Sequence, residues 1–230
     1  MKTLIVLNDH STTACHAAIF ALDLAQKINA NLILASIMPP KQIMLPHDFA
    51  DTKAGTMILQ HSALLQSLCT KENKHSSFSP ELEEIELSDF NDDELLKLTI
   101  EKNVYMVIKG IDEVHPSALL KLNLLMNTLM EKIKCPLLVI PASWNFKTFS
   151  KLVYFTDLRF CGLGVINFIA ELAQHWNAKV LIAHASASGL PEIDKEQADA
   201  IFKEEIYNHL SYAKITMCKL EPDERPEAIK

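Results

Sequence analysis

The chain opens its first apolar run with Leu4-Ile5-Val6-Leu7-Asn8-Asp9, and the similar stretch Leu152-Val153-Tyr154-Phe155-Thr156-Asp157 follows 148 positions later (152 − 4 = 148). The same offset holds without a gap for two further pairs of stretches: Leu24-Ala25-Gln26 with Leu172-Ala173-Gln174, and Asn29-Ala30 with Asn177-Ala178. Chance similarity does not keep register over such a distance, and the period is far above the roughly 20–50 residues of solenoid repeats. Each copy is therefore predicted to be a domain with its own hydrophobic core.

Composition excludes several classes of function. The 230 residues are 49% hydrophobic and 22% charged, which is ordinary for a globular protein. The net charge of −7 and the absence of a Lys/Arg cluster argue against a nucleic-acid partner. The first apolar run is broken at once by Asn8 and Asp9, and no run reaches the roughly 20 residues of a membrane span. We therefore expect no membrane association and a cytoplasmic location.

Metal and disulfide chemistry also lack a signal in the sequence. The five cysteines include no close pair and no zinc-ligand spacing, so reduced structural thiols are expected. His10, His16 and His184 do not form a ligand pair with a carboxylate at a recognisable spacing, and we predict no metal site.

The first copy is predicted to start with a strand, a helix and a parallel strand. Leu4–Leu7 and Asn31–Ala35 are apolar runs typical of strands buried on both faces. Between them, apolar residues from Ala14 to Ile28 recur at helical spacing, and Ser11 or Thr12 is positioned to cap the helix start. A strand, helix and strand of these lengths form a right-handed crossover with parallel strands.

The remaining elements complete the first copy and repeat most of it in the second. The first copy continues with a helix at 55–69, a strand at Leu82–Leu87, a helix at Asp92–Lys102, a strand at Val104–Ile108, a helix to about Lys134 and a strand at Leu137–Ile140. The second copy has strands at Leu152–Phe155, Lys179–His184 and Lys214–Leu220, with helices at Leu163–Asn177 and Glu192–Tyr212. We predict domains at 1–141 and 151–230, joined by a linker at 142–150. The second copy lacks the counterpart of Val104–Ile140, two strands and a helix, so we expect a fragment or a decayed second domain.

These features resemble the universal stress protein family. The resemblance rests on the first strand ending in Asp9, the Ala-rich helix after it, and the closing Cys135-Pro136-Leu137-Leu138-Val139-Ile140-Pro141. It implies two tandem doubly wound α/β domains of the adenine nucleotide alpha hydrolase-like type, with five-stranded parallel sheets in the order 3-2-1-4-5 and the second copy truncated. It also implies dimerisation through the last strand, and a division of the family into members that bind ATP and members that do not.

The phosphate loop that separates these two classes is degraded in the first copy. In binding members of the family it reads Gly, two residues, Gly, nine residues, then Gly and Ser or Thr. Glycines allow the backbone to approach phosphates, which bind amides at a helix start. The corresponding positions are Gly110, Glu113, Asn123 and Leu124, of which Gly110 agrees with the motif. Glu113 would place a carboxylate near phosphate charge, so the first copy is expected not to bind ATP and no cofactor is predicted.

Asp9 and Asp157 match the family residue that contacts the nucleotide base or ribose in binding members. Carboxyl ends of strands near the switch in strand order are also where open α/β sheets bind ligands. Two explanations stay open: Asp9 and Asp157 contact a ligand, or Asp9 caps the following helix through a backbone N–H. With Gly110, these two residues form the candidate site.

Other families with related folds do not match. A phosphoacceptor receiver domain needs an acidic pair after its first strand and a Lys before a Pro after its fifth, and neither is present. ATP-activating relatives carry His-x-Gly-His or Ser-Gly-Gly-x-Asp-Ser, which are also missing from the sequence.

The leading hypothesis is a non-catalytic universal-stress-type protein that acts in stress response by binding or assembly. One alternative is an ATP-binding, slowly ATP-hydrolysing member that uses the second domain. Another is a binder of a different small molecule near Asp9 or Asp157. Because an unpaired apolar edge recruits another strand, we expect a homodimer through Leu137–Ile140.

Overall fold

The computed structural model describes residues 1–37, 78–87, 92–112, 130–145, 148–159, 161–185, 191 and 193–220. The chain divides into two compact units, residues 1–146 and 147–230, with the division inside the predicted linker 142–150. The predicted helix at 55–69 and most of the predicted helix before Lys134 lie outside the described residues.

The first unit contains a five-stranded parallel sheet. Its elements are β1 (Lys2–Asn8), α1 (Thr12–Ile28), β2 (Ala30–Ile37), β3 (Leu82–Leu87), α2 (Asp92–Glu101), β4 (Met106–Ile111) and β5 (Leu137–Pro141). The strand order is β3-β2-β1-β4-β5 and every pairing is parallel, which confirms the expected topology. The order reverses between β1 and β4, so the carboxyl ends of these two strands form the switch point at which such sheets bind ligands.

Helix α1 packs on the sheet mainly through small side chains. Ser11 is its N-cap and accepts the N–H of Ala14 at 3.1 Å, while Asn29 ends the helix in the left-handed conformation with φ 54°. Nine of its residues are buried: Ala14, Ala17, Ala18, Phe20, Ala21, Leu22, Leu24, Ala25 and Ile28. Each fully buried large side chain contributes roughly 1.5–3 kcal/mol, and the alanines let the helix axis come close to the strands.

A second apolar layer lies on the face of the sheet that carries α2. Side chains alternate along β1, and Ile5 and Leu7 join the core cluster that contains Leu95 and Leu98 of α2. Leu4 to Leu7 are all fully buried, as expected for a central strand of a parallel sheet covered on both faces.

Strand β4 differs from its prediction. It was expected at Val104–Ile108 and is found at Met106–Ile111. The N–H of Val104 bonds to the Thr99 carbonyl at the end of α2, so Val104 precedes the strand and is not part of it. At the other end, pairing with β5 continues through Lys109, Gly110 and Ile111. Lys109 and Gly110 are therefore strand residues and not the start of a loop.

The second unit contains a three-stranded parallel sheet among its described residues. Its elements are β6 (Lys151–Thr156), α3 (Leu163–Gln174), β7 (Lys179–Ala185), α4 (Lys195–Ile201) and β8 (Ile215–Leu220). The order is β6-β7-β8, which corresponds to β1-β2-β3 of the first unit. The predicted helix at Glu192–Tyr212 is wrong in its extent: Asp194 caps α4 by accepting the N–H of Gln197 at 2.8 Å, and a π turn and a 3-10 turn replace the α-helix after Ile201.

The tryptophans belong to different units. Trp144 packs against Phe20 of α1 with ring centroids 5.1 Å apart, and its carbonyl lies 2.8 Å from Nε2 of His16. Trp176 packs edge-on against Phe149, with ring centroids 4.7 Å apart, on the core of the second unit. Among the helices described, none combines the length and the apolar character needed to cross a membrane.

Candidate functional site

The candidate site of the first unit lies where β1 and β4 end side by side. Asp9 directly follows β1, and Lys109 lies on β4 opposite Leu7 of β1. Nζ of Lys109 donates to Oδ2 of Asp9 at 2.6 Å. The Lys109 side chain is 5% exposed and the Asp9 side chain 35%. The buried ammonium of Lys109 and the partly exposed carboxylate of Asp9 therefore lie together at the switch point of the sheet.

Ser11 connects the same carboxylate to helix α1. Oδ1 of Asp9 accepts the backbone N–H of Ser11 at 3.1 Å and its hydroxyl at 2.5 Å. The Ser11 oxygen in turn accepts the N–H of Ala14. Ser11 is therefore the N-cap of α1, and Asp9 acts at the helix start by accepting the backbone N–H and the hydroxyl of this cap residue.

The charge state of Asp9 follows from these contacts. Burial would raise the pKa of its carboxyl, but the positive charge and the hydrogen bond of Lys109, with the two bonds from Ser11, lower the pKa below its usual 3.8. Asp9 is thus ionised and paired at neutral pH.

Gly110 has a packing role in this structure. A Cβ at this position would lie 2.1 Å from the carbonyl oxygen of Thr13 and 2.5 Å from its carbonyl carbon. The missing side chain lets the first turn of α1 rest on β4, which holds Ser11 over Asp9. The glycine that matches the family motif is therefore required by helix packing, and its role in ligand binding stays a prediction.

A buried polar relay crosses the carboxyl ends of the other strands. The amide of Asn8 donates to Oγ of Ser36 at 3.1 Å, and the Ser36 hydroxyl donates to Glu84 at 3.3 Å. Oδ1 of Asn8 accepts the N–H of His10, which has φ 59°. Asn8 and Ser36 are 0% and 1% exposed, so the relay fixes the turn that carries Asp9.

The second unit has a similar turn after β6. Oγ1 of Thr156 accepts the N–H of Leu158, and Oδ1 of Asp157 accepts the N–H of Arg159, both at 3.1 Å. Leu158 has φ 66°, like His10 in the first unit. Nη1 of Arg159 lies 3.7 Å from Oδ2 of Asp157. We call Thr156, Asp157, Arg159 and the neighbouring His184 the second-sheet corner.

The structure thus brings together Asp9 and Gly110 of the predicted site, while Asp157 lies in the other unit. Glu113, Asn123 and Leu124 lie outside the described residues. The sequence pattern did not identify Lys109 as a site residue. A lysine directly after an apolar run is nevertheless a usable signal, because a buried lysine needs a partner. No group of histidine, cysteine and acidic side chains suited to a metal ion occurs within the described ranges.

The cysteines described are free thiols: Cys15, Cys135, Cys161 and Cys218. Burial raises the pKa of the Cys135, Cys161 and Cys218 thiols above the ordinary value of 9.0. These three thiols are therefore protonated at neutral pH, which agrees with a structural role.

Comparison with known proteins identifies the fold. A universal stress protein from Archaeoglobus fulgidus DSM 4304 superposes with a TM-score of 0.64 at 12% identity, covering 99% of this chain and 82% of that chain. Two shorter structures match about three fifths of this chain. A universal stress protein family protein from Arabidopsis thaliana with AMP bound has a TM-score of 0.42 and 12% identity, covering 61% of this chain and 92% of its own. The universal stress protein from Archaeoglobus fulgidus in complex with dAMP has a TM-score of 0.39 and 15% identity, covering 61% and 97%.

No family model matches the chain, and no curated protein matches it significantly. The architecture is therefore identified by structure: an α/β chain with the fold of universal stress proteins. The resemblance inferred from the first strand and from the Cys-Pro-apolar ending is confirmed at this level.

Proposed function

We propose that this chain is a non-catalytic universal-stress-type protein of the cytoplasm, which acts in stress response by binding or assembly. In this proposal its units are two copies of one domain, and the first copy does not bind ATP in the way the family's binding members do. The observation that carries it is the internal ion pair between Lys109 and Asp9.

The ion pair already satisfies Asp9, the residue that would contact a nucleotide. Both oxygens of Asp9 already accept hydrogen bonds, at 2.6 Å from Lys109 and at 2.5 and 3.1 Å from Ser11. A ligand that takes over Oδ2 has to leave a 95%-buried ammonium without its partner, and an uncompensated buried charge is strongly destabilising. We infer that the pair is a structural replacement for a ligand contact.

Packing at Gly110 supports the same conclusion. The space beside its Cα is filled by the backbone of Thr13, so that side of the glycine is closed to a phosphate. The departures from the motif at Glu113, Asn123 and Leu124 remove the other small residues on which phosphate binding depends.

Calorimetry with Mg-ATP on the full chain tests the proposal. We expect no heat of binding, and no phosphate release above that of a heat-inactivated control. Micromolar binding would overturn the proposal. The variants Asp9→Asn and Asp157→Asn then identify the unit, because loss of binding in Asp157→Asn favours the alternative of an ATPase that uses the second unit.

A second candidate function is the binding of another small molecule at the rim of the first-unit site. The observation in its favour is that the Asp9 side chain keeps 35% of its surface exposed although its partner is buried. Native mass spectrometry of the purified chain would then detect an adduct that disappears in Asp9→Asn. A spectrum without an adduct argues against this candidate.

We also propose that the chain forms a homodimer through β5. In the described part of the first unit, β5 lies at the end of the strand order and pairs with β4, and Leu137, Leu138 and Val139 are half-buried. Sedimentation analysis should give a dimer that dissociates in Val139→Lys. The matched change Val165→Lys, on an exposed position of α3, should leave the dimer intact. A wild-type monomer at micromolar concentration contradicts the proposal.

A further inference from the structure

Strand β6 has a free edge among the described residues. The order β6-β7-β8 places β7 on one side of β6, and no described strand pairs with β6 on the other side. In the first unit the matching strand β1 lies between β2 and β4. Within the described ranges, the second unit therefore has no strand at the position that β4 fills in the first unit.

The backbone groups along this free edge can be assigned from the ladder between β6 and β7. The N–H of Lys179 in β7 bonds to the carbonyl of Ser150, and the N–H and C=O groups of successive strand residues point to opposite sides. Even-numbered residues of β6 therefore bond to β7, while the backbone groups of Lys151, Val153 and Phe155 face the free edge. A row of such groups on an apolar strand is a template for another strand.

The side chains of β6 are those of a central strand, but they are exposed like those of an edge. Leu4 to Leu7 of β1 are 0% exposed. The matching residues 152–154 of β6 are half-buried, and Phe155 is 48% exposed. Apolar residues on both faces are typical of strands with covered faces, whereas edge strands usually carry charges or proline. The free edge of β6 is therefore suited to a neighbouring strand.

Helix α3 has an open face toward the same position. In the first unit a Cβ on Gly110 of β4 would lie 2.1 Å from the carbonyl oxygen of Thr13, so α1 covers β4 as well as β1. Ala17, one turn after Thr13, is 0% exposed there. Its match on α3 is Val165, which is 48% exposed. The helix face that would rest on a fourth strand is thus present in the second unit and accessible.

The second-sheet corner has its charges balanced without a fourth strand. In the first unit Asp9 takes its counter-charge from Lys109 of β4. In the second unit Nη1 of Arg159 lies 3.7 Å from Oδ2 of Asp157, so the cation comes from the turn itself. A strand added beside β6 therefore needs no lysine, and Asp157 keeps its partner whether the edge is open or occupied.

The position of α3 decides which kind of strand fits. Two copies that pair their β6 edges about a twofold axis form one continuous sheet with antiparallel strands, and this axis stands perpendicular to the sheet. Both α3 helices would then lie on the same face, each over the other copy's β6. Close packing does not allow two helices to share that space. A single extended segment without a helix of its own avoids this conflict.

We infer that the free edge of β6 binds an extended apolar segment of a partner polypeptide, which adds to the sheet as a fourth strand parallel to β6. The main chain of the segment bonds to Lys151, Val153 and Phe155, and its side chains on one face lie beneath α3 beside Val165. Strand β4 is the template for its chemistry, because consecutive apolar residues of β4 pair in parallel with Leu4 to Leu7 of β1. The inference does not depend on ATP binding by the first unit or on a dimer through β5.

A synthetic peptide with the sequence of residues 104–111 tests the inference. It carries a dye and serine-glycine tails for solubility, and fluorescence anisotropy follows its binding to the full chain. We expect saturable binding with a dissociation constant in the micromolar range. A control peptide with Val107→Pro and Ile108→Pro lacks N–H groups that a ladder needs, and should bind about tenfold more weakly or not at all.

Two substitutions at one position of the full chain form a matched pair. Val153→Pro removes an N–H that β6 does not use for pairing with β7, and edge strands tolerate proline at such positions. It should weaken peptide binding about tenfold or more, because the ladder to the peptide is interrupted. Val153→Thr keeps the N–H and should bind the peptide as the wild type does. If circular dichroism shows that Val153→Pro does not fold, Val165→Lys replaces it and should weaken binding by a similar factor, because it places a charge beside the added strand.

Strand β5 provides a further control. Val139→Lys changes the edge of the first unit and should leave peptide binding unchanged. Loss of binding in this variant would place the peptide on β5 and overturn the inference. No binding by the wild type, equal binding of the proline peptide, or unchanged binding in the Val153→Pro or Val165→Lys variant that folds would also overturn it. A dimer of Val139→Lys that Val153→Pro dissociates would show a second copy at this edge and overturn the choice of partner.

Discussion

Replacing Gly110 by alanine is the most direct test of how the first unit is held together. The new Cβ would lie 2.1 Å from the carbonyl oxygen and 2.5 Å from the carbonyl carbon of Thr13, and 3.1 Å from the nitrogen of Ala14. All three are backbone atoms of α1, so no side chain can rotate out of the way. Since non-bonded heavy atoms rest at about 3.5–4.0 Å, α1 and β4 have to separate by about 1 Å or more.

The cost of this separation follows from the packing of α1. Overpacking costs typically about 1–3 kcal/mol, and we expect about 3 kcal/mol because both partners are backbone and the helix buries nine residues on the sheet. Urea unfolding followed by fluorescence measures it in a Trp176→Phe background, where Trp144 reports on the first unit through its contact with Phe20. A loss of stability below about 1 kcal/mol would refute the reasoning.

Gly164→Ala is the matched control for the glycine test. A Cβ at Gly164 has no atom within 4 Å, and the residue lies in α3. Alanine there should be neutral or stabilise by up to about 1 kcal/mol, because it favours the helix. A Trp144→Phe background lets Trp176 report on the second unit. Destabilisation of this control would show that any glycine change perturbs the protein.

Three further predictions concern the charges and the cap beside Gly110. Lys109→Met should lower the free energy of unfolding by about 1–2 kcal/mol, which is less than for a fully buried pair because Asp9 is partly exposed. Lys102→Met, which removes an exposed pair with Glu83, should cost under about 0.5 kcal/mol, and urea unfolding compares the two variants. The pKa of Asp9 is lowered on folding, so the stability that ionised Asp9 contributes is fully present above its ordinary pKa of 3.8 and is lost as the pH falls through the pKa of the folded state. Asp9→Asn should therefore flatten the dependence of the unfolding free energy on pH in this acidic range, and an unchanged dependence contradicts the pairing. Ser11→Ala should cost about 1 kcal/mol in thermal unfolding, while Thr12→Ala in the first turn should stay within about 0.5 kcal/mol, and equal losses would argue against Ser11 as the cap.

The sequence predicted the fold well where local patterns decide it. The bounds of β3 agree with the prediction at both ends, and α1 was placed to within two residues because its apolar spacing and its cap are both local signals. The strand order came from the resemblance to a family, since periodicity does not determine which strands are neighbours. The end of β4 was missed because Lys109 and Gly110 have low strand propensity, and pairing with β5 overrides this preference.

The candidate site was predicted in part. Asp9 was found because it ends an apolar strand, but its partner lies 100 residues further along the chain, and that contact depends on the pairing of β1 with β4. Gly110 was interpreted as a trace of a phosphate loop, whereas the close approach of Thr13 gives it a packing role that no linear spacing reveals. The left-handed residues His10 and Leu158 also escaped prediction, because neither residue type is a glycine.

The alanine face of α1 has a consequence for how this protein tolerates sequence change. Alanine has no rotamers, so a helix seated on a sheet through alanines cannot accommodate a larger neighbour by repacking. In saturation mutagenesis, larger residues should therefore be rejected at the buried alanine positions along one side of the helix, while the exposed positions Asp23 and Lys27 tolerate changes of side-chain size. Substitutions should then accumulate at solvent-exposed positions, while the packing between α1 and the sheet stays nearly unchanged.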